Sequence, residues 1–211
     1  MTIACIGLGN MGAPMARCLI AAGHSVIGFD PQTRSDGIPC APTAALAVQD
    51  VDVVISMLPN GDILRAVCDD IYEYMSQGAL HLDCSTVDAQ SAKDTAQAAE
   101  IAGLMAVDAP VSGGIGGATN GTLTFMAGGK ADAFAKAAPL FDIMGQRAVH
   151  CGASGSGQAA KICNNMILGA TMIATCEAFA LADRLGLDRQ SMFDVVSTSS
   201  GQSWSINTYC P

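Results

Sequence analysis

Residues 2–30 read T-I-A-C-I-G-L-G-N-M-G-A-P-M-A-R-C-L-I-A-A-G-H-S-V-I-G-F-D, and this stretch decides the fold. An apolar run, Ile3 to Ile6, enters the turn Gly7-Leu8-Gly9-Asn10-Met11-Gly12. A helical pattern through Met15, Leu19 and Ile20 follows, then a second apolar run (Val26, Ile27, Phe29) that ends at Asp30. Strand, glycine turn, helix, strand and acid make up a dinucleotide-binding unit. Gly7 permits the tight turn, Gly9 lets the backbone approach a pyrophosphate, and Gly12 lets helix pack closely on strand. The helix start offers unpaired N–H groups and a positive dipole end to the phosphates. A carboxylate at Asp30 accepts hydrogen bonds from a ribose hydroxyl and repels a 2′-phosphate, which favours NAD over NADP.

Outward from there, apolar runs alternate with helical patterns. Strands are expected at 51–57, 79–83, 104–109, 123–127 and 148–151, with helices at 62–74, 89–102 and 132–143 and a helical turn at 43–48. A turn-rich loop is expected over 31–42, and a glycine-dense loop at Ser112–Gly117. The pattern specifies an α/β fold, a Rossmann-type doubly wound and mostly parallel sheet with helices on both faces. Ligands then bind beyond the carboxyl ends of the strands, so Gly7–Gly12, Asp30, Leu58-Pro59, Ser85-Thr86 and Ser112–Gly117 should face one crevice.

From Gly157 to Leu185 runs a segment without proline, apolar over most of its circumference, read as a long helix buried on several sides. Gly186 suits its C-cap, and Asp188 caps a following helix. Two domains are expected: an NAD-binding domain over 1–156, then the long helix and the beginning of an all-α domain over 157–211.

Composition sets limits on partners. With 211 residues, half of them apolar and 14% charged, the chain can bury a sizeable core. A formal charge of −9 disfavours nucleic acid and anionic membranes. No stretch reads as apolar and charge-free enough to span a bilayer. The nine scattered cysteines include no C-x-x-C pair, which suits a reducing cytoplasm. His24, His81 and His150 are isolated and lack metal-ligand spacing, so no metal is expected.

Two constellations can carry chemistry. Lys161 is the only charged residue between Arg147 and Glu177, with Asn164 and Asn165 three and four places on. An amine beside an amide can donate a proton and orient a carbonyl, whereas the bland alternative is a lysine snorkelling to the surface. Ser112-Gly113-Gly114 supplies a hydroxyl and unencumbered N–H groups able to hold a carboxylate, or else is a flexible turn. Trp204, the only Trp, is core or pocket wall.

Seven segments taken together resemble the β-hydroxyacid dehydrogenase family. They are I-G-L-G-N-M-G-A-P-M at 6–15, I-S-M-L-P at 55–59, L-D-C-S-T at 82–86, D-A-P-V-S-G-G at 108–114, G-T-L-T-F-M-A-G-G at 121–129, G-Q-A-A-K-I-C-N-N-M at 157–166 and S-S-G-Q-S-W-S-I-N-T-Y at 199–209. The resemblance implies that Lys161 is the catalytic acid/base. It implies that Ser112, Gly113 and Gly114 grip a substrate carboxylate, Asn165 orients the hydroxyl, and Trp204 borders the pocket. Gly7, Leu8, Gly9, Asn10, Met11, Gly12, Asp30, Leu58, Pro59 and Thr86 would contact NAD. The implied substrate is a small hydroxy acid, 3-hydroxyisobutyrate, oxidised to methylmalonate semialdehyde, by a homo-oligomer. Sibling activities on tartronate, glyoxylate or succinate semialdehyde, and a non-catalytic binding relative, are the alternatives. Family members continue into a fuller helical domain, so this chain is expected to be a piece of a longer product or to take its second domain from elsewhere, and alone to bind NAD weakly and turn over slowly.

Overall fold

Side-chain alternation along each strand decides which layer every residue joins. The computed structural model describes residues 1–33 and 36–210; Arg34 and Ser35 of the expected 31–42 loop, and Pro211, lie outside the described residues. The described strands are β1 (Thr2–Ile6), β2 (Ser25–Phe29), β3 (Val53–Ser56), β4 (Leu80–Asp83), β5 (Met105–Asp108), β6 (Val111–Ser112), β7 (Leu123–Gly129) and β8 (Gly145–Gly152). They form one sheet in the order β2-β1-β3-β4-β5-β7-β6, with β8 on β7. The first five pair in parallel. β7 runs antiparallel to β5 and to β6, and β8 runs parallel to β7.

Helices α1 (Gly12–Ala21), α2 (Ala44–Ala47), α3 (Gly61–Ile71), α4 (Ala89–Ile101), α5 (Gly114–Asn120) and α6 (Ala131–Met144) flank the sheet. Ile3, Cys5, Val53, Ile55, Leu80 and Leu82 point to one face, packing with Met15, Leu19, Leu140 and Phe141 of α1 and α6. Ala4, Ile6 and Val54 point to the other, packing with Leu64, Cys68, Ile71 and Ala99 of α3 and α4. Asn60 and Asp88 start α3 and α4 by accepting from the N–H of Ile63 and Ser91.

The expected glycine-dense loop is corrected by the structure. Ser112 closes the short strand β6, and Gly114–Gly117 belong to α5, a helix that the glycine content hid. Tertiary packing supplies what intrinsic propensity lacks: Ala118 is buried, Cys18 of α1 donates its thiol to Ala118 O, and Gly113 and Gly117 lie close against Leu123.

The chain divides into two compact units, Met1–Lys161 and Ile162–Pro211. The division falls within α7 (Ser156–Leu185). The second unit holds most of α7, α8 (Arg189–Val196) and α9 (Trp204–Tyr209), with Ala182, Met192 and Ile206 buried. Gly186, at φ +69, ends α7, and Asp188 caps α8. The expectation of a helix buried on several sides is overturned. Ile162, Met166, Ile167, Ile173, Leu181 and Leu185 are exposed, because two short helices cannot cover so broad an apolar circumference. By length and composition α7 is also apolar enough to cross a membrane, contrary to the sequence reading. Its first turn is nevertheless tied into the sheet unit, as described next.

Candidate active site

Parallel pairing of β1, β3, β4 and β5 brings their carboxyl ends to one edge. A cleft of about 480 Å³ opens there, lined by Gly7, Gly9, Asn10, Met11, Gly12, Asp30, Leu58 and Pro59. Gln32, Thr33, Ile63 and Val67 also line it. Sequence reading missed Ile63 and Val67; their i, i+4 spacing on α3, with Ile63 exposed, was the available signal.

The glycines are graded by space. Gly7 has φ +93, and a Cβ there would overlap Met57 O; one on Gly12 would overlap Gly7 O. A Cβ on Gly9 would meet nothing within 4 Å, so its face is open to the cleft. The residues present therefore fit a dinucleotide: two positions lock the turn and the third leaves room for phosphate at the start of α1.

Asp30 accepts from Leu8 N–H through Oδ2 (2.8 Å) and from Gln32 and Thr33 N–H through Oδ1 (2.8 Å each). Partial burial pulls its pKa up, but the three N–H groups prevail and hold the carboxyl below its ordinary value. Oδ2 keeps a lone pair for a ribose hydroxyl. Leu8 itself does not line the cleft: its side chain is core and its N–H is taken by Asp30.

The next strand ends carry a buried polar seam. Leu58 N–H donates to Ser85 Oγ (2.8 Å), and Ser85 Oγ donates to Asp83 Oδ1 (2.6 Å). Thr86, the following residue, is exposed and outside the cleft lining. At the end of β5, Asp108 accepts from Gly155 N–H (2.7 Å) and Gln158 N–H (3.0 Å), so a carboxylate sits on the first turn of α7. One turn further, Lys161 Nζ donates to Val111 O (2.7 Å). The amine is thereby held on the residue that precedes Ser112 in the chain. Its partial burial lowers its pKa below the ordinary lysine value.

Asn165 and Trp204 belong to the second unit. Asn165 is exposed and its Oδ1 accepts from Asn164 (3.3 Å); Trp204 is exposed at the first position of α9, which Ser203 caps. That unit has its own cleft of about 770 Å³, lined by Met172, Thr175, Cys176, Phe179 and Tyr209. Its charged groups, Asp183 and Arg189, are spent on each other in a bidentate pair. Among the described residues no group of three or more His, Cys, Asp or Glu could hold a metal ion.

A Rossmann-type crevice with a carboxylate at the end of its second strand, and an amine of lowered pKa near the end of the fifth, are what an NAD-dependent dehydrogenase acting on a CH–OH group carries. Comparison with known proteins narrows this. Residues 2–153 match the family model for the NAD-binding domain of 6-phosphogluconate dehydrogenase. Residues 155–211 match that for NAD-binding of NADP-dependent 3-hydroxyisobutyrate dehydrogenase. A probable 3-hydroxyisobutyrate dehydrogenase of Mycobacterium bovis is 44% identical, covering 100% of this chain and 74% of its own length. An NAD-dependent L-serine dehydrogenase of Pseudomonas aeruginosa is 45% identical, over 99% of this chain and 73% of the relative. The structure of Mycobacterium tuberculosis 3-hydroxyisobutyrate dehydrogenase with L-serine superposes with a TM-score of 0.94 at 44% identity, covering 100% of this chain and 74% of that one. The chain belongs to the β-hydroxyacid dehydrogenase family, in the branch of the 3-hydroxyisobutyrate dehydrogenases.

Proposed function

We propose that the protein oxidises 3-hydroxyisobutyrate to methylmalonate semialdehyde in the breakdown of valine, as a cytoplasmic homo-oligomer, with Lys161 as acid/base. The observation that carries this reading is the Lys161 amine, partly desolvated and fixed on Val111 O at the mouth of the Ser112–Gly114 segment. Bound NAD supplies the hydride acceptor. Lys161, neutral, takes the hydroxyl proton as the carbinol C–H bond breaks, and returns it in reverse. Ser112 Oγ and the N–H groups of Gly113 and Gly114 hold the substrate carboxylate, against the repulsion of the net negative chain. Asn165, one helical turn beyond Lys161, orients the hydroxyl, and Trp204 borders the methyl branch. Gly7, Gly9, Asn10, Met11, Gly12, Asp30, Leu58, Pro59 and Thr86 hold the cofactor, with Leu8 contributing through its backbone. On this reading the NAD-binding domain runs over 1–156, and the long helix with the beginning of the helical domain over 157–211, although the two compact units divide after Lys161.

L-Serine as preferred substrate is the second reading, favoured by the relative named for that activity. A panel of 3-hydroxyisobutyrate, L-serine, glycerate and 4-hydroxybutyrate, each with NAD and NADP, tests both. Highest kcat/KM for 3-hydroxyisobutyrate with NAD is expected. A lead for L-serine transfers the assignment, and no turnover of any hydroxy acid refutes both.

A further inference from the structure

Gln158 has no part in the chemistry proposed above, yet its side chain is wholly buried at the centre of the site's framework. Its Nε2 donates to Ser85 O (2.8 Å) and its Oε1 accepts from Val87 N–H (3.1 Å). The two bonds bracket Thr86, gripping the peptide on either side of it. The backbone N–H of the same residue lies on Asp108 Oδ2. Lys161 stands three residues along the same helix face and is anchored on Val111, which follows Asp108 closely in the chain.

We propose that Gln158 is a positioning residue, whose amide locks the Thr86 segment of the cofactor site to the turn of α7 that carries Lys161. This rests on Lys161 as acid/base and Thr86 as a cofactor contact. The geometry leaves few alternatives for the side chain. The amide replaces the strand pairing that Ser85 O and Val87 N–H lack beyond the end of β4, and no shorter side chain spans from α7 to both. Gly157 beside it lets the helix rest directly on the sheet: a Cβ there would overlap Met126 O and stand 2.8 Å from Asp108 Oδ2. With the backbone seated by Gly157 and Asp108, the separation of amine and cofactor segment is fixed by one side chain. A group buried only to fill space would not need both ends of an amide satisfied.

The test uses Gln158→Met, which keeps length and bulk and removes both bonds, and Gln158→Glu, which keeps the bond from Val87 and loses that to Ser85. NAD affinity is measured by isothermal titration, and kcat and KM for 3-hydroxyisobutyrate are measured well below each variant's melting temperature. The methionine variant should weaken NAD about fivefold, the worth of a lost buried hydrogen bond. It should lower kcat on the order of 10²-fold through misplacement of the amine. The glutamate variant sets a carboxylate oxygen against Ser85 O in a buried site, so its effects should be at least as large, and it replaces the methionine variant in the comparison should that one not fold. A folded variant with NAD affinity and kcat both within twofold of wild type overturns the proposal. Lys161→Met run alongside separates the two readings. Turnover surviving there sinks the acid/base assignment, whereas the Gln158 effect on NAD binding is read without turnover.

Discussion

Asp83 and Asp108 are register partners at the carboxyl ends of β4 and β5, and both carboxyls are pushed up to about 6 by burial. Their surroundings differ. Asp108 is met by helix N–H groups, whereas Asp83 receives Ser56 Oγ (2.7 Å), Ser85 Oγ and Ser85 N–H on Oδ1 alone. Its Oδ2 is buried and has no hydrogen-bond partner among the described residues. His81 stands behind, with Nε2 on Ser56 Oγ (2.9 Å) and Nδ1 on Tyr72 OH (2.8 Å). Since Ser56 donates to Asp83, His81 donates through Nε2; burial lowers its pKa to about 4, so the ring is neutral near pH 7 and Nδ1 is its acceptor.

These groups make opposing contributions to stability with pH. The Asp83 carboxyl has a folded pKa raised from 3.8 to about 6. The native state therefore holds the proton longer, and this contribution falls as pH rises from about 4 to about 6, then stays level. His81, lowered from 6.5 to about 4, contributes stability that is lost as pH falls through that same window. In urea titrations, Asp83→Asn should gain on the wild type as pH rises from 4 to 6, by on the order of 2 kcal/mol, with a constant difference above. A difference independent of pH over that window would mean that Asp83 titrates normally.

On the proposed mechanism, alcohol oxidation requires Lys161 neutral. The rate should therefore rise with pH through the pKa of the amine and level off, with its inflection below the ordinary 10.5 because burial disfavours the ammonium. Lys161→Met should lower kcat by about 10²–10⁴-fold and leave the NAD dissociation constant within about twofold, since a single tenfold change already needs about 1.4 kcal/mol of lost contact. Parallel loss of cofactor binding would mark the lysine as structural.

Asp30 supports the glycine turn through Leu8 N–H, and on the proposed reading it repels a 2′-phosphate. Asp30→Ser should weaken NAD and shift the NAD-to-NADP preference toward NADP by about tenfold or more, as removal of like-charge repulsion requires. Ratios of kcat/KM for the two cofactors measure it, and an unchanged ratio would refute that role.

Alanine at two glycines should separate binding from folding. Gly9→Ala, with open space around its Cβ, should leave the melting temperature unchanged and weaken NAD. Gly157→Ala, which drives a methyl into Met126 O and Asp108, should cost about 1–3 kcal/mol of stability. Calorimetry on both variants decides; equal melting temperatures would remove the distinction.

The sheet was legible because β1 and β3 carry the apolar runs Ile3–Ile6 and Val53–Ile55, with Gly7 and Pro59 close behind them, and Gly7, Gly9, Gly12 and Asp30 lie within one local unit. What stayed hidden depends on partners far along the chain. α5 is specified by Leu123 and α1 rather than by its own glycines. The exposure of α7 could not be read from its apolar circumference, since periodicity reports what a helix can bury and not what is available to cover it. Gln158 and Asp108 lay within recognised motifs, yet their bonds to Ser85, Val87 and Gly155 span 47 residues or more, and no local pattern encodes such pairings.

Where α7 meets the sheet at Gly157, Met126 O, Asp108 O and the Asp108 carboxylate occupy the space a side chain would need. Such a seam has little slack through which to absorb thermal motion, so the first turn of the helix should move with the strands beneath it. The amine one turn above inherits the stiffness of the β-sheet, and warming should loosen the cleft's outer walls well before it loosens the lysine.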